Sequence, residues 1–120
     1  MIDRENLRSY CLAKRGAFED FPFGDDVAVY KVMGKVFALL PVAAAPLSIS
    51  LKCDPFLAGM LRETYPAVTP GWHLNKKHWN SVKVDGSVAD DEIEEWIDHS
   101  YEQVVKGLTR AQKVVLTQQT

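Results

Sequence analysis

The sequence predicts an α+β fold: a single compact domain in which about five strands form an antiparallel sheet and three helices cover it. Apolar residues recur at helical spacing in three segments and at a period of two elsewhere. Met33-Gly34-Lys35 joins two β-rich segments over a span short enough for a hairpin, which makes those neighbours antiparallel. A chain of 120 residues, 47% hydrophobic and 25% charged, suits one globular domain with one core.

The first helix is predicted over residues 3–15. Asp3 suits the N-cap, Ile2 and Leu7 form a hydrophobic staple, and Leu7, Tyr10 and Cys11 make one buried stripe, with Gly16 as a left-handed residue beyond the end. Phe18 to Phe23 reads as an edge strand, because Pro22 has no amide hydrogen to give a central ladder. Val27–Val32 and Val36–Leu40 are the hairpin strands, and Leu47–Lys52 alternates with Leu47, Ile49 and Leu51 inward and Ser48, Ser50 and Lys52 outward. Asp54-Pro55 announces the second helix, with Phe56, Leu57, Met60 and Leu61 as its buried stripe and Tyr65-Pro66 as its end. A loop follows through Thr69-Pro70-Gly71. The strand from Trp79 to Asp85 then turns Val82 and Val84 to one face and Trp79, Ser81 and Lys83 to the other. The last helix begins near Asp90, buries Ile93, Trp96, Ile97, Tyr101 and Val104, and closes at Gly107. The domain is thus expected over residues 1–107, with 108–120 a fraying tail.

Charge is distributed unevenly. Residues 1–26 carry a net −2, residues 27–83 a net +5 and residues 84–120 a net −5. An overall charge of −2 excludes a protein that coats nucleic acid over its whole surface but leaves room for a local basic patch. The longest apolar stretch, Val36 to Pro46, is too short to span a membrane and holds two prolines, and the N-terminus has no secretory pattern. Two cysteines, Cys11 and Cys53, make no disulfide framework, so a reducing cytoplasm is the expected setting.

Few residues suggest chemistry. His73 and His78 lack the clustered cysteines that would complete a metal site, and neither metal nor cofactor is expected. Cys53 lies just before a helix, where the dipole favours a thiolate, but Asp54 opposes that charge, so a buried inert thiol is the better reading. The acidic run Asp90, Asp91, Glu92, Glu94, Glu95 and Asp98 reads as a solvated helix face. Phosphate-binding glycine loops and serine-nucleophile elbows are absent from the sequence, and an enzyme is not expected. The segment Pro70-Gly-Trp-His-Leu-Asn-Lys-Lys-His-Trp-Asn80 stands out, since aromatic rings interleaved with cations can stack bases and neutralise phosphates. Tryptophans packing the loop onto the sheet, with solvated lysines, is the competing structural reading.

Pro22-Phe-Gly24, Val29-Tyr-Lys-Val-Met-Gly-Lys-Val-Phe-Ala38, Leu51-Lys-Cys-Asp-Pro55, the segment 70–80 and His99-Ser-Tyr101 together resemble the MmcQ/YjbR family of small bacterial proteins over roughly residues 17–106. Trp72 stands where that family usually has an aromatic such as Tyr. The resemblance implies a twisted antiparallel sheet with helices on one side, in the secretion-chaperone-like, frataxin-like architecture. It implies DNA binding, by β-hairpins approaching the duplex as wings, and no catalytic residue. The nucleic-acid-binding candidates are Lys35, Lys52, His73, Asn75, Lys76, Lys77, His78, Trp79 and Lys83. The alternative is a protein- or peptide-binding adaptor using the polar sheet face or the acidic helix. No membrane partner or small-molecule substrate is expected. A pairing of Asp98 or Glu102 with Lys76 or Lys77 would remove the physical basis of the DNA reading.

Overall fold

The computed structural model describes residues 1–43, 45–71 and 74–118. In chain order the elements are α1 (Arg4–Leu12), β1 (Ala17–Asp20), β2 (Val27–Val32), β3 (Lys35–Pro41), β4 (Ser48–Lys52), α2 (Pro55–Thr64), β5 (Val68–Pro70), β6 (Trp79–Lys83), α3 (Asp90–Lys106) and α4 (Arg110–Thr117). The sheet runs β1-β2-β3-β4-β6-β5, antiparallel at every pairing. Among the described residues, no helix is long and apolar enough to cross a membrane.

Local chemistry accounts for most boundaries. Asp3 accepts the Asn6 amide at 2.8 Å and caps α1, which ends at Leu12, earlier than the expected 15, while Gly16 takes φ +71° in the turn that follows. Met33 and Gly34 both have positive φ, as a two-residue hairpin loop matching the twist of its strands requires. Met33 packs against the core, so the tip presents only Gly34 and Lys35 to solvent. Asp54 accepts the Leu57 amide at 3.1 Å with Pro55 in the first turn of α2, as the sequence predicts.

The core lies between the sheet and α3. Tyr30, Phe37, Leu40, Ile49, Val82, Ile93 and Ile97 are fully buried there. Burying a side chain of this size contributes about 1.5–3 kcal/mol, so α3, with five buried residues, is the main apolar cover of the sheet. Tyr101 meets Phe37 edge-on at 5.4 Å, and Trp96 meets Tyr65 at 5.2 Å.

Four expectations are corrected. The predicted edge strand Phe18–Phe23 is shorter and begins earlier, as β1, because Phe21 to Asp26 leave the sheet as an exposed loop. The loop through Thr69-Pro70 contains a sixth strand, β5, too short to show alternation, with Pro70 tolerated on the sheet edge. Helix α2 is rotated about its axis: Phe56 and Met60 are 78% and 48% exposed, while Ala58 is buried and Leu61 and Tyr65 pack against the core. The inward side of the helix also carries Arg62, which reaches Asn80. Residues 108–118 do not fray: Thr109 and Gln112 form a capping box for α4, and Leu108 and Leu116 join the core. At α3, finally, Ala89 occupies the N-cap, and the Asp90 carboxylate instead accepts the Ile2 amide at 2.8 Å.

Candidate nucleic-acid interface

The β4–β6 register sets Lys52 opposite Trp79, Ser50 opposite Ser81 and Ser48 opposite Lys83. The outward face of these two strands is therefore polar, and Ser50 and Ser81 join by a 2.8 Å hydroxyl contact. At its Lys52–Trp79 end the sheet opens. β3 and β4 pair only at Ala38–Leu51 and Leu39–Ser50. Beyond them the Ser100 hydroxyl stands between the strands, accepting the Lys52 amide at 2.8 Å and donating to the Phe37 carbonyl at 2.5 Å. Both backbone groups stay satisfied without closing the ladder.

A cleft of about 320 Å³ lies where the strands part. Its walls are Lys35 and Val36 from β3, Lys52 from β4, Trp79 from β6, and Val104 and Gly107 at the end of α3. Three residues expected on chemical grounds, from three separate strands, thus meet in one concavity. Val36, Val104 and Gly107 carried no signal, because their place depends on how α3 crosses the sheet.

The preceding turn is held from its backbone. The Asn75 side chain accepts the Lys77 amide at 2.9 Å, and its carbonyl accepts the amides of His78 and Trp79 at 3.1 and 2.9 Å. The His78 carbonyl accepts the Cys53 amide at 2.6 Å, which seats the turn beside the end of β4. Arg62, which sequence reasoning missed, donates to Asn80 Oδ1 at 2.6 Å, to the Trp79 carbonyl at 3.1 Å and to the Lys76 carbonyl. Asn80 is buried and returns a bond to the Ala58 carbonyl at 3.3 Å. Gly71 donates to the Trp79 carbonyl at 2.9 Å, and a Cβ there would sit 3.0 Å from that of Trp79. Asn75 and Asn80 therefore act as scaffold, while Lys76 and Lys77 are exposed and His78 and Trp79 are half-buried. Lys83 is exposed about 13 Å along β6 from Trp79 and does not reach the cleft. His73 lies outside the described residues.

Among the described residues the candidate basic groups have no acidic partner. Among the described residues the ion pairs are Met1–Asp90, Arg8–Glu5, Arg8–Glu19, Lys14–Asp98 and Lys31–Asp20. None involves Lys35, Lys52, Lys76, Lys77 or Lys83. Asp98, the acid that threatened to neutralise the patch, is held by Lys14 and by the Tyr10 hydroxyl, which donates to it at 2.8 Å. Burial, then the hydrogen bond and charge of Asp98, push the Tyr10 phenol up to about 12. Cys53 is buried, and desolvation followed by the charge of Asp54 raises its thiol to about 11, which fits an inert residue.

The His99-Ser-Tyr101 motif is likewise structural. His99 Nε2 accepts the Asp54 amide at 3.2 Å, Ser100 bridges β3 and β4, and the Tyr101 hydroxyl donates to the Arg15 carbonyl at 2.6 Å.

This arrangement has relatives. The protein YjbR of Escherichia coli K12 is 37% identical over 112 residues, covering 93% of this chain and 95% of its own. The protein YbdF of Escherichia coli O157:H7 is 34% identical over 115 residues, covering 91% and 93%. A crystal structure from Deinococcus radiodurans, carrying the domain DUF419, superposes with a TM-score of 0.88 at 39% identity, covering 94% of this chain and 86% of that one. A Pseudomonas syringae protein superposes with a TM-score of 0.73 at 28% identity, covering 85% and 98%. With the YjbR family profile matching residues 12–103, the chain belongs to the YjbR family.

Proposed function

We propose that this protein is a non-enzymatic DNA-binding module, and that its contact surface is the cleft of Lys35, Lys52 and Trp79 together with the exposed Lys76 and Lys77 on the adjoining turn. One observation carries the reading: five candidate residues present cations and an indole with no carboxylate paired to them among the described residues. Phosphates supply the attraction and the aromatic ring a stacking face. The two buried cysteines, Cys11 and Cys53, are free thiols, which favours a reducing cytoplasm as the place of action.

The test is fluorescence anisotropy of a labelled 20-nucleotide DNA, offered as duplex and as single strand, across a salt series from about 50 to 200 mM. With about four lysines on phosphates, log K should fall against log salt with a slope of roughly −3 to −4. Lys76→Glu with Lys77→Glu should weaken binding and flatten that slope. If neither form binds at the lowest salt, the reading fails.

A protein-binding adaptor is the second reading. It is favoured by the exposed apolar face of α2 formed by Phe56 and Met60. A stoichiometric partner whose binding is abolished by Phe56→Ser, with no DNA affinity, would establish it instead.

A further inference from the structure

We infer that the cleft of Lys35, Lys52 and Trp79 takes an unpaired nucleotide, so that single-stranded nucleic acid, rather than duplex, is the form this site binds. The inference rests on the nucleic-acid reading above and narrows it.

The shape of the site decides the form. Duplex DNA is read by something that protrudes, a helix or β-ribbon entering a major groove about 12 Å wide. The hairpin that would serve as a ribbon has a two-residue tip, and its Met33 is packed back against the core. The basic and aromatic residues instead line a concavity. Its volume of about 320 Å³ falls at the lower end of small-molecule clefts, which run from about 300 to 1,000 Å³. A flat base with one phosphate is a ligand of that scale, and a base locked in a pair cannot enter.

The lining matches such a ligand group by group. Trp79 lines the cleft with an aromatic ring of the kind on which bases stack, and Val36 and Val104 add apolar lining. Lys35 and Lys52, from different strands, both line the cleft, and lysine ammonium groups are suited to a phosphate. Lys52 faces Trp79 directly across the β4–β6 ladder, so base and phosphate would be held by neighbouring residues. Ser100 keeps the cleft open by standing where β3 and β4 would otherwise zip together. Gly71 and Arg62 fix the Trp79 backbone from the other side.

The experiment compares labelled oligomers of thymidine and of uridine, each about 15 nucleotides long, with a duplex of equal length, across a salt series from about 50 to 200 mM. Single strands should bind about tenfold or more tightly than the duplex. Trp79→Ala should cost the single strands about tenfold and leave the duplex nearly unchanged, since a stacked base is worth roughly that factor. Trp79→Phe, which keeps a ring and a packed wall, should retain most of the affinity, and it replaces the alanine variant if that one unfolds. Lys35→Gln and Lys52→Gln should each reduce the salt slope for single strands by about one. An oligomer of deoxyuridine, which differs from that of uridine only at the 2′ position, assigns the sugar. Equal affinity for duplex and single strand, or a Trp79 effect shared by both, overturns the inference while DNA binding stands. Failure of every oligomer to bind overturns the nucleic-acid reading itself.

Discussion

Ser100 serves two backbone groups that no strand partner reaches, and the hydroxyl is the smallest group that accepts from one and donates to the other. Ser100→Ala leaves the Phe37 carbonyl and the Lys52 amide without the partner that the buried serine supplies. Each such group costs about 1–3 kcal/mol, so the variant should lose at least about 2 kcal/mol in urea unfolding. A loss under about 0.5 kcal/mol would mean that water or a closed ladder replaces the hydroxyl. Arg62 makes a comparable case, for its planar fork spans three acceptors that a lysine ammonium cannot serve together. Arg62→Lys should speed hydrogen exchange at the His78 and Trp79 amides well before global unfolding, and unchanged protection there would count against the scaffold role. Arg62 was not legible in the sequence, and Ser100 stood out only within the His99-Ser-Tyr101 motif, without its bridging role. A helical arginine and a helical serine carry no local signature, and their partners sit 14 to 18 and 48 to 63 positions away. Lys52 and Trp79 were legible as candidates, because alternation along each strand placed both on the polar face, but their facing each other depends on β4 pairing with β6 across α2 and β5.

Among the elements, α2 and α4 show where local pattern misleads. In α2 the cap was plain from Asp54-Pro55, yet the most apolar face, with Phe56 and Met60, is turned to solvent, while the opposite side holds Ala58 and the Arg62–Asn80 contact. In α4 the pattern was present, with Thr109 and Gln112 spaced for a capping box and two leucines, Leu108 just before the helix and Leu116 within it, that join the core. The polar Thr117-Gln-Gln-Thr120 end masked it. α4 is therefore part of the domain, and its removal should be felt. Leu116→Ala should lower stability by about 2–3 kcal/mol, as for other buried leucines. Thr109→Ala should lower it by about 1 kcal/mol through the lost cap. Urea midpoints within error of the parent for both variants would return residues 108–118 to the status of a tail.

For the whole molecule, pH acts through groups the fold keeps protonated. Burial pushes the Cys11 thiol up to about 12 and, with Asp54, the Cys53 thiol to about 11; burial and Asp98 raise Tyr10 to about 12, and burial with Glu19 raises Tyr30 further. In the unfolded chain these groups lose their protons at ordinary thiol and phenol values, so above about pH 9 the folded state holds more protons than the unfolded one. Stability is then full below that pH and falls as pH rises through about 9 to 12. Urea midpoints that stay level from pH 7 to 10.5 would contradict this. The same molecule also ties its ends together: Ile2 to Asp90, Tyr10 to Asp98, Arg15 to Tyr101, and Phe37 and Lys52 to Ser100. In the time order of synthesis, all of these anchors belong to α3, which follows every strand of the described sheet. Until it emerges, the inner face of a nearly complete sheet has no main cover and the β3–β4 join no bridge, so the nascent chain waits on one late helix for its whole interior.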